Sequence, residues 1–303
     1  MNPRAGVDGG GALRALRAAR HLDVEVCLTE GPGHARELAG AAARRGDETV
    51  LAVGGDGTAN EAAWGLLGSE TALGLVPVGS GNGLARAVGI PLRAERALAA
   101  LEGSVRRRID VGFANGRPFL NLAGAGFDAA VGADFHARGR NGGRRGILGY
   151  VRLSLARALV HRPEEWRLTS DAGGFAGRAW VVAFANGRQY GAGAVIAPQA
   201  RLDDGRLDVV VFEAVPRLAV LANAPRLFLG GIRGFRGYRH FAASRAVLSG
   251  TGDMLYHRDG EPESGTERLE VHVERRALSL LIPRATAADP DGPFLPAGSG
   301  GMP

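Results

Sequence analysis

Val50-Leu51-Ala52-Val53-Gly54-Gly55-Asp56-Gly57-Thr58-Ala59-Asn60-Glu61, residues 50–61, decides how the chain is read. Its four opening apolar residues have the length and bounding glycines of a buried strand, and the glycines then turn the chain sharply. Thr58 and Glu61 stand three apart before Ala62, Ala63, Leu66 and Leu67, so the spacing predicts a helix whose first amides are capped by its own hydroxyl and carboxylate. Strand, glycine turn and helix together are an architecture that cradles phosphate. Glycine lets backbone amides approach an anion, and the helix N-terminus adds partial positive charge. Asp56 inside the turn would repel bare phosphate, which argues for a divalent cation between carboxylate and nucleotide. On its own, a glycine cluster is more often a tight connection with an acid capping the turn.

A second cluster changes that weighing. Leu73 to Val78 (LGLVPV) is another strand-like run, followed by Gly79-Ser80-Gly81-Asn82-Gly83 and a helix-like Leu84 to Val88. In an open parallel sheet such loops gather at the carboxyl ends of the strands, where ligands bind. Upstream, Asn2-Pro3-Arg4-Ala5-Gly6 reads as a loop leaving a strand, yet only Met1 precedes it, so the first strand of the sheet is expected to be missing. An amphipathic helix with Leu13, Leu16 and Ala19 inward, a strand Val24 to Leu28, and a helix with Ala35, Leu38, Ala39 and Ala42 on one face complete the alternation. The expectation is an α/β, doubly wound parallel-sheet nucleotide domain over residues 1–105.

After Arg106-Arg107-Arg108 the texture changes. Ile109 to Phe113 and Pro118 to Leu122 flank Asn115-Gly116, a hairpin signal, and Ala179 to Ala185 precedes Asn186-Gly187 in the same manner. Leu207 to Phe212, Arg245 to Leu248 and Leu269 to Val273 continue a β-rich pattern interrupted by one helix, Ile147 to Leu159, with Arg144, Arg145, Arg152 and Arg157 nearby. This predicts a largely antiparallel β-sandwich domain over 106–283, its last strand, 278–282, able to return to the first domain. The Pro/Gly-rich residues 284–303 read as a disordered tail.

Bulk composition limits the chemistry. All 37 Lys+Arg residues are arginine, against 31 Asp+Glu, giving a net charge of +6. Without lysine there is neither an ammonium phosphate clamp nor a Schiff base, so cationic contacts to phosphate fall to guanidinium. The basic excess suits an anionic partner, although a solvated basic surface is commoner. A single cysteine, Cys27, excludes an internal disulfide and fits a reducing compartment. No signal peptide opens the chain and no uncharged apolar run reaches the roughly 18 residues a membrane span needs. A cytoplasmic protein, peripheral to the membrane, is expected. The arginines are scattered and aromatics are 6%, which argues against nucleic-acid binding.

Assembled in order, NPRAG near the start, TEGPGHARELA at 29–39, GGDGTANE at 54–61, PVGSGNGLAR at 77–86, the aspartate of RRRIDVG, APQARLDDGRLDVVVF at 197–212 and RDGE at 258–261 resemble the diacylglycerol kinase catalytic-domain superfamily, which includes bacterial diacylglycerol kinases and sphingosine and ceramide kinases. The resemblance implies an ATP-dependent, Mg²⁺-requiring kinase acting on a lipid alcohol, built from an α/β domain and a β-sandwich. It places ATP against Asn2, Pro3, Gly6, Thr29, the loop Gly54, Gly55, Asp56, Gly57, Thr58 and Asn60, and Ser80 with Asn82. It implies a structural Mg²⁺ held by Asp204 and by the backbone carbonyls of Arg201 and Arg206, where the residues alone would read as an ordinary β-turn. The general base falls on Glu261, within Asp259-Gly260-Glu261, with Asp56 organising metal or substrate and Asp110 in the same network.

One departure stands out: Asn82 is followed by Gly83, where many bacterial diacylglycerol kinases carry an aspartate. The acceptor could therefore be diacylglycerol, a sphingoid base or another lipid alcohol, and a catalytically silent lipid- or nucleotide-binding protein is the rival from another class. NAD kinase shares the GGDGT turn, but the GSGN loop, the DDG loop and the late DGE argue against it. Exposed sheet edges suit a homodimer.

Overall fold

A computed structural model describes residues 1–3, 24–140, 147–190, 193–229 and 231–296. Gly6, the helix expected around Leu13 to Ala19, and Arg144 and Arg145 lie outside the described residues. The chain divides into two compact units, one of residues 1–111, 201–204 and 275–303 and the other of 112–200 and 205–274.

The first unit is α/β. Helix α1 (His34–Arg45) buries Ala35, Ala39 and Ala42, one face at helical spacing. Strand β1 (Thr49–Gly54) leads into α2 (Asp56–Leu66), which buries Thr58, Ala62, Ala63 and Leu66. Strand β2 (Ala72–Pro77) is buried along its whole length, and α3 (Gly83–Ala87) and α4 (Ala94–Leu101) follow. β1 and β2 pair in parallel, Thr49 opposite Ala72 through Gly54 opposite Pro77. A parallel pair needs a crossover, which α2 provides, and it brings the loops after both strands to one edge of the sheet. The segment Val24 to Leu28, expected as a strand, is not one. Its three large apolar residues, Val24, Val26 and Leu28, are exposed, so their alternation marks no buried face. Met1 bridges this segment to the sheet: its amino group donates to the Cys27 carbonyl, Thr29 N–H donates to the Met1 carbonyl, and Asn2 N–H donates to Val53 O.

Strand β3 (Ser104–Ala114) runs into the second unit, where it pairs antiparallel with β4 (Arg117–Phe119). Asn115 and Gly116 have φ of 47° and 73°, the two-residue hairpin with both central residues left-handed that Asn-Gly predicts. β5 (Leu122–Gly126), α5 (Phe127–Arg140), α6 (Ile147–Val160), β6 (Glu164–Ser170), β7 (Gly174–Ala185), β8 (Leu207–Glu213), α7 (Arg217–Asn223), α8 (Arg226–Leu229), β9 (Tyr238–Ala243), β10 (Arg245–Arg258) and β11 (Glu261–Pro283) follow. Antiparallel pairing runs β10-β5-β7-β8-β9, and β6 joins both β7 and β10. Both faces of β7 are buried: Ala179, Val182 and Phe184 belong to one core, Trp180, Val181, Ala183 and Ala185 to another, with a register shift between Ala179 and Val181. Asn186-Gly187 makes no hairpin, contrary to the sequence reading. Both amides donate to Asn121 O, so the pair closes onto the loop before β5 instead of turning into a neighbouring strand. Helices α5, α7 and α8 were not anticipated beside the single helix at 147–159.

The end of β11 belongs to the first unit, where Ser279 and Leu280 pair in parallel with Ala72 and Leu73 of β2. The expected disordered tail is ordered as far as it is described. α9 (Arg284–Ala288) follows β11, Phe294 is 1% exposed, the Arg201 guanidinium donates to the carbonyls of Pro290, Gly292 and Phe294, and Leu295 N–H donates to Asp203. One aromatic anchor and one arginine supply what Pro/Gly-rich composition lacks. Among the described residues no helix is long and apolar enough to cross a membrane.

Candidate active site

The two glycine loops of the first unit interlock through Asp56. Its carboxylate accepts the N–H of Asn82 at 2.8 Å and of Gly83 at 2.6 Å, so the acid at the start of α2 caps the start of α3. Asn82 has φ 53°, and its side chain closes the loop on itself by accepting from Gly79 N–H and donating to Gly79 O at 2.7 Å. The glycines here serve close approach. A Cβ on Gly79 would lie 2.6 Å from Gly55 Cα, and one on Gly81 would lie 2.6 Å from an Asp56 oxygen.

The predicted capping box is not formed. Glu61 instead accepts the N–H groups of Gly33 (2.8 Å) and Ala35 (3.2 Å), capping α1 from the flank of α2, and Thr58 Oγ1 accepts from the Asn2 amide at 3.2 Å. Both acids of α2 therefore serve neighbouring helices, and the N-cap of α2 itself is Gly55, which has no side chain. Asn2, Thr58, Asp56 and Asn82 are thus drawn together around the loop Gly54–Asn60, with Ser80 exposed beside them. Thr29 reaches the same corner through Met1, and Pro3 is exposed.

In the second unit, Asp259 and Gly260 form the turn between β10 and β11, with φ of 46° and 85° and Arg258 opposite Glu261. The Asp259 carboxylate accepts three backbone amides, from Leu120 (2.7 Å), Asn121 (2.9 Å) and Leu122 (2.8 Å), and Asp259 N–H returns a bond to Leu122 O. Such a filled acceptor holds the β4–β5 loop. Glu261, two residues on, is exposed at the tip. Arg258 and Tyr256 converge on Glu263, and Arg117 bridges it at 3.2 Å. Burial pushes the Glu263 carboxyl up, but the Arg258 guanidinium, the Tyr256 hydroxyl and Arg117 outweigh it and hold it below the usual range. Burial and the Glu263 carboxylate push the Tyr256 hydroxyl up to about 12, so it stays a neutral donor.

Asp110 is fully buried and accepts Arg276 N–H at 2.7 Å, where Arg276 is left-handed at φ 51°. In the loop of Arg201, Asp204 and Arg206, Gly205 turns the chain at φ 75°, Asp204 is half-buried, and Asp203 is committed to Leu295. A carboxylate with the carbonyls of a tight turn is a hard-oxygen donor set that fits Mg²⁺.

A buried polar group escaped the sequence reading. Asp128, at the start of α5, accepts Ala129 N–H at 2.8 Å, Tyr190 O–H at 2.7 Å and His257 Nε2–H at 3.0 Å. Gly260 N–H donates to His257 Nδ1, which assigns the Nε2–H tautomer from the network and ties the Asp259-Gly260 turn to α5. The signal was an acid two residues after the apolar strand β5, and a histidine on the inward side of β10 two residues before Asp259.

The diacylglycerol kinase catalytic domain matches residues 1–114, and the YegS C-terminal NAD kinase beta sandwich-like domain matches residues 121–282. A probable lipid kinase YegS-like protein of Pseudomonas aeruginosa is 34% identical over 286 residues, covering 91% of each chain. Its counterpart in Cronobacter sakazakii is 31% identical, covering 94% of this chain and 92% of its own. Among solved structures, a diacylglycerol kinase from Bacillus anthracis superposes with a TM-score of 0.70 at 20% identity, covering 94% of this chain and 95% of its own, a likeness of fold.

Proposed function

We propose, since this chain belongs to the YegS-like family built on a diacylglycerol kinase catalytic domain, that it is a lipid kinase transferring the γ-phosphoryl group of ATP to a hydroxyl of a membrane lipid, with diacylglycerol the first acceptor to test. The observation that carries the reading is the division of labour around α2. Asp56 and Glu61 turn their carboxylates to the starts of α3 and α1, and α2 itself starts from Gly55, an N-cap with no side chain. Amides at such a terminus, with the helix dipole behind them, suit the phosphates of a nucleotide.

In the reaction the acceptor hydroxyl gives its proton to the Glu261 carboxylate as its oxygen bonds to the γ-phosphorus, and the bond from that phosphorus to the β–γ bridging oxygen breaks to leave ADP. Exposure at a hairpin tip keeps Glu261 reachable, and Asp259 fixes the backbone that presents it. Mg²⁺ bound with the nucleotide supplies charge neutralisation on the phosphates. A structural Mg²⁺ would be held by Asp204 with the carbonyls of Arg201 and Arg206.

The test is transfer of label from γ-labelled ATP, with Mg²⁺, into mixed micelles of diacylglycerol, monoacylglycerol, sphingosine or ceramide. Labelled lipid is expected. ATP binding without any labelled lipid would return the chain to a silent binder of the same fold.

A further inference from the structure

Two stretches of the second unit combine charge and apolarity in an unusual way. Residues 147–163, covering α6, and residues 214–252, covering α7, α8 and β9, contain no aspartate or glutamate. Their cations Arg152, Arg162, Arg217, Arg226, Arg233 and Arg236 are exposed. A water-facing helical stripe normally carries polar residues. Here the outward stripe of α6 carries Leu155 and Leu159, one turn apart, followed by Val160, all at least half exposed. On α7 and α8, Leu218 and Leu229 are 80% and 81% exposed, and Phe228 is also exposed.

These helices meet. Arg217 donates to His161 O just past the end of α6, which sets Val160 and Leu218 at one junction, and only Ala224 and Pro225 separate α7 from α8. Large apolar side chains left in water at this density mark an interaction surface. Its charge selects the occupant. A second copy would bring arginines against arginines across a two-fold interface, whereas an anionic lipid surface complements both the guanidinium groups and the leucines between them.

We infer that the α6–α7–α8 face is the surface by which this protein docks on an anionic bilayer, its leucines entering the headgroup boundary and its arginines pairing with lipid phosphates. This deepens the lipid-kinase reading and rests on it only for choosing a lipid over another polyanionic surface.

Flotation of the full chain with vesicles, without nucleotide, tests the inference. Binding is expected to vesicles of phosphatidylglycerol in phosphatidylcholine, to fall as salt rises, and to be weak on pure phosphatidylcholine. The double variant Leu218→Ala/Leu229→Ala, altering two exposed positions, should lose at least about fivefold in vesicle affinity, and Arg152→Gln/Arg226→Gln about tenfold or more on anionic vesicles only. Glu261→Gln should float like the wild type, so loss of phosphotransfer and loss of docking are separate results. Unchanged flotation of the leucine variant, or no binding to either vesicle, would overturn the inference. So would sedimentation showing a wild-type dimer that the leucine variant converts to monomer, which would assign the face to a second copy.

Discussion

The Asp56 loops of the first unit and the Asp259 hairpin of the second are built on the same device and use it to different ends. In each, a carboxylate at a sharp turn is filled by backbone amides, two from Asn82 and Gly83 on Asp56 and three from Leu120, Asn121 and Leu122 on Asp259. Asp56 thereby joins two glycine loops at the start of a helix whose N-cap is Gly55. Asp259 instead locks a hairpin so that Glu261, two residues away, stands exposed. Within one short acidic turn, one acid is architecture and its neighbour is the proposed reagent, and the difference lies in how many amides each has gathered.

Substitutions can break that division. The largest effect is expected at the reagent. Glu261→Gln should lower kcat by about 10³-fold or more, within the range for removing a general base, with KM for ATP and thermal stability little changed. Equal loss of ATP affinity would make Glu261 a ligand organiser. At the architectural acid, Asp259→Ala removes a charged acceptor from three amides and should cost about 3 kcal/mol of stability, read as a lowered midpoint in urea. An unchanged midpoint with lost activity would move Asp259 into the chemistry. Asp56→Asn keeps one acceptor oxygen and turns an NH₂ toward the other amide. It should cost about 2 kcal/mol and lower kcat/KM at least about tenfold, and full activity in that variant would detach Asp56 from the phosphate loops.

The parallel units were legible in the sequence because Val50–Val53 and Leu73–Val78 are short apolar runs ending in glycine, and a buried strand leaves that mark whatever it packs against. The Asn115-Gly116 hairpin was legible because its two residues suit left-handed backbone. Asn186-Gly187 has the same letters but a different partner, Asn121, and partners are not written in a dipeptide. The Thr58 to Glu61 spacing promised a self-capped helix for a related reason: a carboxylate three residues in can reach any nearby helix start, and α1 offered Gly33 and Ala35. His257 and Asp128 were invisible because 129 positions separate them and only the fold brings them within 3.0 Å. The order of the tail is not legible because composition averages over Phe294 and cannot show the partners, Arg201 and Asp203, that hold the segment.

The smallest effect concerns the support of the hairpin. Glu263 is held below the usual carboxylate range, so its contribution to stability is present above about pH 4.5 and is lost as the pH falls through its lowered value. Glu263→Gln should lower the thermal midpoint by a few degrees at neutral pH, about 1 kcal/mol. The gap from wild type should close in acid, and a gap constant with pH would remove Glu263 from that role.

The most direct measurement is label transfer from γ-labelled ATP into the lipid panel by the wild type and by Glu261→Gln side by side. One labelled lipid class is expected with the wild type, and about a thousandfold less label with the variant at unchanged ATP binding. Equal labelling by both proteins, or none by a wild type that binds ATP, would contradict that expectation.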